Sequence, residues 1–311
     1  ILSSQLRAID SFNPQDTAIH MALEGGVTTV GTGPGSANVL GGTFIAVKTW
    51  GSCVDDMIVR TPVAMKCAFG ENPKRCYKDK GNCARMTTAA NLRSALFKAR
   101  EYMERKEAAG EDVLKRPAFD MKLEALIPVL KGEIPLKAHA HRADDICTAI
   151  RIAKEFGLRY TLDHCTDGHL IAGRLAEEGA PVFIGPTLGS KTKHEVRNKT
   201  FETPGALARA GGHVSIITDS PVIPQQYLPL CAGLAIRSGM DPYAALRAIT
   251  ICPAEHIGVA DRVGSIEVGK DADLVLCRGN VMDVESEIQC VLIEGCAVPG
   301  LPLCPRGGEK N

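Results

Sequence analysis

Five side chains of this 311-residue sequence have the types and placement of a polar reaction centre: Lys66, His139, His141, His164 and Asp219. Each sits in, or just beyond, a short apolar run. Lys66 lies inside 63–69 (VAMKCAF), His139 inside 136–140 (LKAHA) with His141 next but one, His164 closes 160–164 (YTLDH), and Asp219 closes 214–219 (VSIITD). Two imidazoles and one carboxylate delivered by successive strand ends suit a hydrolytic Zn²⁺ or similar site, whose donors are nitrogen and oxygen. A lysine within an apolar strand is costly unless it is paired or modified. Taken singly, each residue has a plainer use. A strand-end histidine can bond a carbonyl, Asp163 can cap a helix, and Asp219 before Ser220 and Pro221 can be a turn residue. The conjunction is what argues for chemistry. His139 and His141 are expected on opposite sides of their strand, so that one of them faces inward unless the chain has already turned.

The elements that must position these residues alternate in kind. Short apolar or β-branched runs appear at 27–30, 44–47, 63–69, 136–140, 160–164, 182–185 and 214–219, bounded by Gly, Pro or polar clusters as buried parallel strands are. Helical periodicity fills 16–23, 88–109 (with Thr87 or Thr88 as N-cap), 121–130, 143–156, 168–178, 204–210, 226–238 and 242–249. Such alternation implies βαβ units and a parallel sheet. The expected architecture is therefore α/β, a (β/α)8 TIM-type barrel with seven of its eight strands visible and the first placed before Ile1. In such a barrel reactive side chains gather at the C-terminal ends of the strands. A doubly wound nucleotide-binding sheet would show an early Gly-rich turn, and GTGPG at 31–35 lacks its spacing, which removes a dehydrogenase.

The texture changes after 258, where 263–269, 273–277 and 290–294 read as short strands of a small β-sandwich appendage at the C-terminus. The expected division is a hydrolase barrel over 1–258, part of a small composite β domain over 259–298, and a loose tail over 299–311. With 36 basic and 36 acidic residues the net charge is zero, which argues against nucleic acid or an anionic membrane as partner. No apolar run is long enough to span a bilayer. Twelve scattered cysteines with no C-x-x-C pair read as reduced thiols of a cytoplasmic protein.

The segment 261–275 (DRVGSIEVGKDADLV), following 250–258 (TICPAEHIG), resembles the C-terminal signature of the metal-dependent amidohydrolase superfamily. Together with PLKAHAHRADD at 135–145, TLDHCTDGH at 161–169 and ITDSPVIP at 217–224, the resemblance spans nearly the whole chain. FGENPKR at 69–75 and GPTLGSKTKHE at 185–195 are similar to the imidazolonepropionase-related branch, which includes prolidase-like dipeptidases.

The resemblance implies metal ligation by His139, His164 and Asp219, with Asp219 also the general base. Lys66 takes the place of a carboxylated lysine bridging two metals, or serves as a neutralising charge. The cofactor implied is a divalent metal, most simply one or two Zn²⁺, and the reaction is cleavage of an amide or cyclic amide C–N bond. His169 and His141 are the candidate donors to the oxyanion. Arg75, Tyr77, Arg142, His141 and His194 are expected at the mouth, where cationic groups suit a small amide or dipeptide bearing a carboxylate. A homo-oligomer is compatible with this family. The superfamily's His-x-His at the end of strand one has no counterpart before Val27, so the chain is expected to be truncated at its N-terminus. The alternatives are a prolidase-like dipeptidase and an inactive barrel serving as a scaffold.

Overall fold

The computed structural model describes residues 1–299. Seven strands form one curled sheet in sequence order: β1 (Thr29–Thr32), β2 (Leu40–Lys48), β3 (Ile58–Ala68), β4 (Leu136–Ala140), β5 (Tyr160–His164), β6 (Val182–Ile184) and β7 (Val214–Ile216). All seven coincide with the apolar runs of the sequence. From β3 to β7 the pairing is parallel. The first two strands correct the expectation of a wholly parallel sheet, because β1–β2 and β2–β3 pair antiparallel. Their connectors, 33–39 and 49–57, are shorter than the dozen or so residues that a parallel crossover needs. The connector from β3 to β4 is long and carries the helix Arg85–Ala109.

That helix begins three residues before the expected start and has no side-chain N-cap, so neither Thr87 nor Thr88 caps it. It turns Leu92, Leu96, Ala99 and Tyr102 inward. The helix Ala143–Phe156 falls where its 3.6-residue period places it, burying Ile146, Ile150 and Phe156 against the sheet and ending at Gly157 in the left-handed region (φ 66°). The expected helix at 121–130 is two single turns, Met121–Glu124 and Ile127–Leu130.

At the C-terminal end β8 (Leu274–Arg278), β9 (Glu287–Ile293) and β10 (Cys296–Ala297) make a separate antiparallel sheet. Its Val291 and Ile293 pack on Leu23 of the helix Thr17–Glu24. The strand expected at 263–269 does not form. Gly264 and Gly269 take positive φ (100° and 93°), and the Asp271 N–H returns to the Arg262 carbonyl, closing a loop instead. That loop is anchored to the barrel through the buried Lys48, whose Nζ lies 2.8 Å from Asp271 and 2.7 Å from Asp273. Of the expected tail, 300–311 lies outside the described residues. No helix of the described residues is long and apolar enough to cross a membrane.

Inside the sheet, adjacent parallel strands share one buried ionic triad. Asp163 on β5 accepts from Lys66 of β3 and Lys137 of β4, each at 2.6 Å. Burial alone would raise the Asp163 carboxyl, but the two ammonium groups outweigh it and hold it well below the carboxylate range. At Lys137 burial, aided by the Lys66 charge, outweighs the attraction of Asp163 and Asp219, and its ammonium is drawn below its ordinary value. Removing one partner of a buried pair leaves a charge uncompensated, so Asp163→Ala is expected to lower the unfolding free energy by about 3–5 kcal/mol at neutral pH. Because the folded carboxyl titrates below its unfolded value, the difference from the native protein is complete above about pH 4 and shrinks as pH falls further. Urea unfolding of both proteins across pH checks this; a variant as stable as the native chain at pH 7 contradicts it.

Candidate metal centre

Three imidazoles meet where β4 and β5 end. His139 is the fourth residue of β4 and its carbonyl accepts from the Phe69 N–H at 2.9 Å, which ties it to the end of β3. His141 follows the strand, and its carbonyl accepts from the Asp167 N–H at 2.9 Å. His164 closes β5 with φ 74°, and Cys165 follows at φ 39°. Two consecutive non-glycine residues in the left-handed region store strain of about 1–3 kcal/mol each, a cost met with chiefly at functional turns. The turn is pinned by the Cys165 N–H on the Ala140 carbonyl at 3.0 Å.

The ring centroids of His139 and His164 lie 4.4 Å apart, and those of His141 lie 4.8 Å from both. One nitrogen of each ring lies within 4.8 Å of the others. This corrects the expected opposition of His139 and His141. Residues two apart on extended chain share a face, and both rings turn inward.

Each ring is positioned by a neighbour. His164 Nδ1 lies 2.6 Å from the Gly185 carbonyl. A carbonyl only accepts, so Nδ1 carries the proton and Nε2 the free lone pair. His141 Nδ1 lies 2.8 Å from Thr166 Oγ1. His139 Nε2 is 3.4 Å from Asn72 Nδ2, while its Nδ1 is buried with no partner. An amide nitrogen only donates, so Nε2 accepts and in the neutral ring the unpartnered Nδ1 carries the proton, a buried donor whose isolation costs about 1–3 kcal/mol.

Burial pushes all three imidazoles below their usual pKa. Neighbouring imidazoles and lysines add to the effect at His139 and His141, whereas the Asp219 and Asp163 charges oppose it at His164. All three rings are thus neutral at pH 7, the form that binds metal. An all-imidazole donor set, with one nitrogen of each ring within 4.8 Å of the others, fits a divalent transition metal such as Zn²⁺.

The other expected site residues are distributed around this cluster. Asp219 follows β7 as an exposed turn residue at φ 55°, its carbonyl accepting from Val222 N–H at 2.9 Å. Its carboxylate stands outside the three-imidazole group, yet its charge is felt at His164, Lys137 and Lys199. Lys66 is the ion-pair partner of Asp163. His169 Nδ1 lies 2.9 Å from Thr203 Oγ1. Arg142 is paired with Asp144 at 2.8 Å, His194 lies against Arg197, Tyr77 donates to Asn38, and Arg75 is exposed.

Sequence reasoning missed Glu195 and Asn72. Glu195 is 1% exposed, in a loop whose run of lysines reads as solvated charge. Its Oε2 accepts from the Glu71 N–H at 2.7 Å, and Oε1 lies 2.5 Å from Lys193 and 3.8 Å from His141 Nε2. Asn72 takes Lys193 Nζ on its Oδ1 at 3.0 Å and turns its amide to His139. The loop after β3 and the loop after β6 are thus tied together beside the histidines.

Residues 101–298 match the amidohydrolase family, well over half of the chain. The chain belongs to the amidohydrolase family. A solved amidohydrolase from Thermotoga maritima MSB8 is 42% identical, with a TM-score of 0.93 over 96% of this chain and 78% of that one. The fold is accordingly the α/β, TIM-type barrel expected from the sequence. Amidohydrolase tasK of Hapsidospora irregularis is 28% identical over 319 residues, covering 94% of this chain and 32% of the relative. An imidazolonepropionase of Geobacillus sp. (strain WCH70) is 45% identical over 111 residues, 33% of this chain and 24% of that protein. The chain spans about a third or less of the length of these curated relatives.

The link between the two loops depends on Gly70. At φ 82°, a Cβ there would lie 2.5 Å from Glu195 Oε2. Gly70→Ala is therefore expected to displace Glu195 and to lower stability by about 1–3 kcal/mol. Thermal unfolding measures this; a melting temperature equal to that of the native chain contradicts the packing described.

Proposed function

We propose that this amidohydrolase is a metal-dependent enzyme that cleaves an amide or cyclic amide C–N bond of a small molecule. The observation that carries the reading is the convergence of three buried, neutral imidazoles at adjacent strand ends. His139, His141 and His164 would hold the ion, with Asp219 the carboxylate offered from the end of β7. When bound, a Zn²⁺ ion supplies Lewis acidity that makes hydroxide available near neutral pH.

The chain's own residues then have distinct tasks. Asp219, on the rim and sensed electrically by His164, takes a proton from the attacking water and returns it to the departing nitrogen. The Gly185 carbonyl and Thr166 hydroxyl hold two of the rings in one orientation and one tautomer. His169, fixed through Nδ1 by Thr203, presents Nε2 as a donor to the oxyanion. Lys66 serves as a neutralising charge for Asp163; a carboxylated Lys66 bridging two ions would have to leave that pair. The division into a barrel over 1–258 and part of a small β domain over 259–298 belongs to the same reading. So does a cytoplasmic location; ten thiols of the described residues are free, whereas Cys290 is disulfide-bonded, which corrects the expectation that the cysteines are all reduced.

The test is turnover by Zn²⁺-loaded protein of an imidazolone propionate and of a panel of dipeptides. Hydrolysis of one class is expected, and Asp219→Asn should lower kcat by about 10²–10⁴-fold. No turnover of either class, or an Asp219→Asn variant as fast as the native enzyme, overturns the proposal.

A further inference from the structure

We infer that Lys199 binds a carboxylate carried by the substrate, in a small pocket that opens beside His164. This rests on the hydrolase reading and assigns its substrate an anionic group. The pocket is lined by His164, Thr166, Gly185, Thr187, Lys199 and Thr203.

Among the described residues no ion pair involves Lys199. Its Nζ reaches only two loop carbonyls, Gly189 at 3.4 Å and Ser190 at 3.2 Å. The other lysines of the site that are not exposed have their anion: Lys193 is on Glu195, and Lys66 and Lys137 share Asp163, while the exposed Lys191 makes no ion pair among the described residues. Lys199 is half-buried, and Lys193 and Lys191 add like charge to it. Asp219 is the one carboxylate whose charge reaches it, and it makes no ion pair with it.

A half-buried ammonium with weak partners, in a pocket sharing a wall with a candidate metal ligand, is a place for an anion. A carboxylate there would take charge-assisted bonds from Nζ, and the threonine hydroxyls of the wall offer further donors. The same contact would fix the scissile carbonyl relative to His164. The mouth residues expected from sequence are less suited. Arg142 already holds Asp144, and Arg75 stands exposed on its helix.

The experiment is isothermal titration of the whole chain with N-acetyl-L-alanine and, separately, with its C-terminal amide. The acid is expected to bind at least about tenfold more tightly than the amide, as a charge-assisted bond should allow. Lys199→Met should abolish that preference, Lys199→Arg should keep it within about threefold, and the exposed-neighbour control Lys191→Met should leave it unchanged. Circular dichroism verifies that each variant is folded. Should Lys199→Met fail to fold, the acid-to-amide comparison on the native protein and on Lys199→Arg still decides. Equal binding of acid and amide, binding of neither, or undiminished preference in Lys199→Met overturns the inference. Since the readout requires no turnover, a native protein that prefers the acid but hydrolyses nothing would sink the hydrolase reading and leave this site standing.

Discussion

A carboxylate held between two ammonium groups in the middle of the sheet is the contact on which the rest depends. Asp163 joins β3, β4 and β5 through Lys66 and Lys137, and each of these strands ends at the candidate centre. The pairing is costly to desolvate and is restored only while all three charges stay in register. A slip of one residue along β5 would turn Asp163 away from both lysines. The residue after it, His164, is thereby fixed both along the strand and in depth. The strained turn at 164–165 then becomes affordable, because neighbouring strands pin it on both sides.

Around that frame the imidazoles are prepared by subtraction. Water is excluded, and the proton is directed to Nδ1 at His164 by a carbonyl. Neutrality follows from burial and from crowding by like charges, so the ligand-competent form needs no special pH. The loops after β3 and β6 close over the cluster through Lys193, Glu195 and Asn72, a polar web in which a single buried carboxylate takes a backbone N–H and a lysine.

Much of this was legible in the residues. Seven apolar runs named all seven strands, and LKAHA and YTLDH placed His139 and His164 at neighbouring ends. The antiparallel start was not legible in hydropathy, because a buried strand reads alike in either direction; the short connectors 33–39 and 49–57 carried that information. The turn at 263–269 deceived because the apolar spacing of Val263, Ile266 and Val268 mimics a strand, while Gly264 and Gly269 break it. Glu195 was hidden by company: within a lysine-rich loop a lone acid looks solvated, and only the fold shows it buried. Lys66 called for a partner or a modification, yet sequence alone could not choose Asp163, which also suited a helix cap, and Lys137 on the next strand went unread.

The central claim is that the three imidazoles share one ion. Zinc K-edge X-ray absorption on the protein loaded with one equivalent of Zn²⁺ tests it directly. The account predicts multiple imidazole scattering with nitrogen or oxygen neighbours at about 2.0–2.1 Å and no sulfur. A sulfur shell at about 2.3 Å, or a hydrated ion without imidazole, would contradict it.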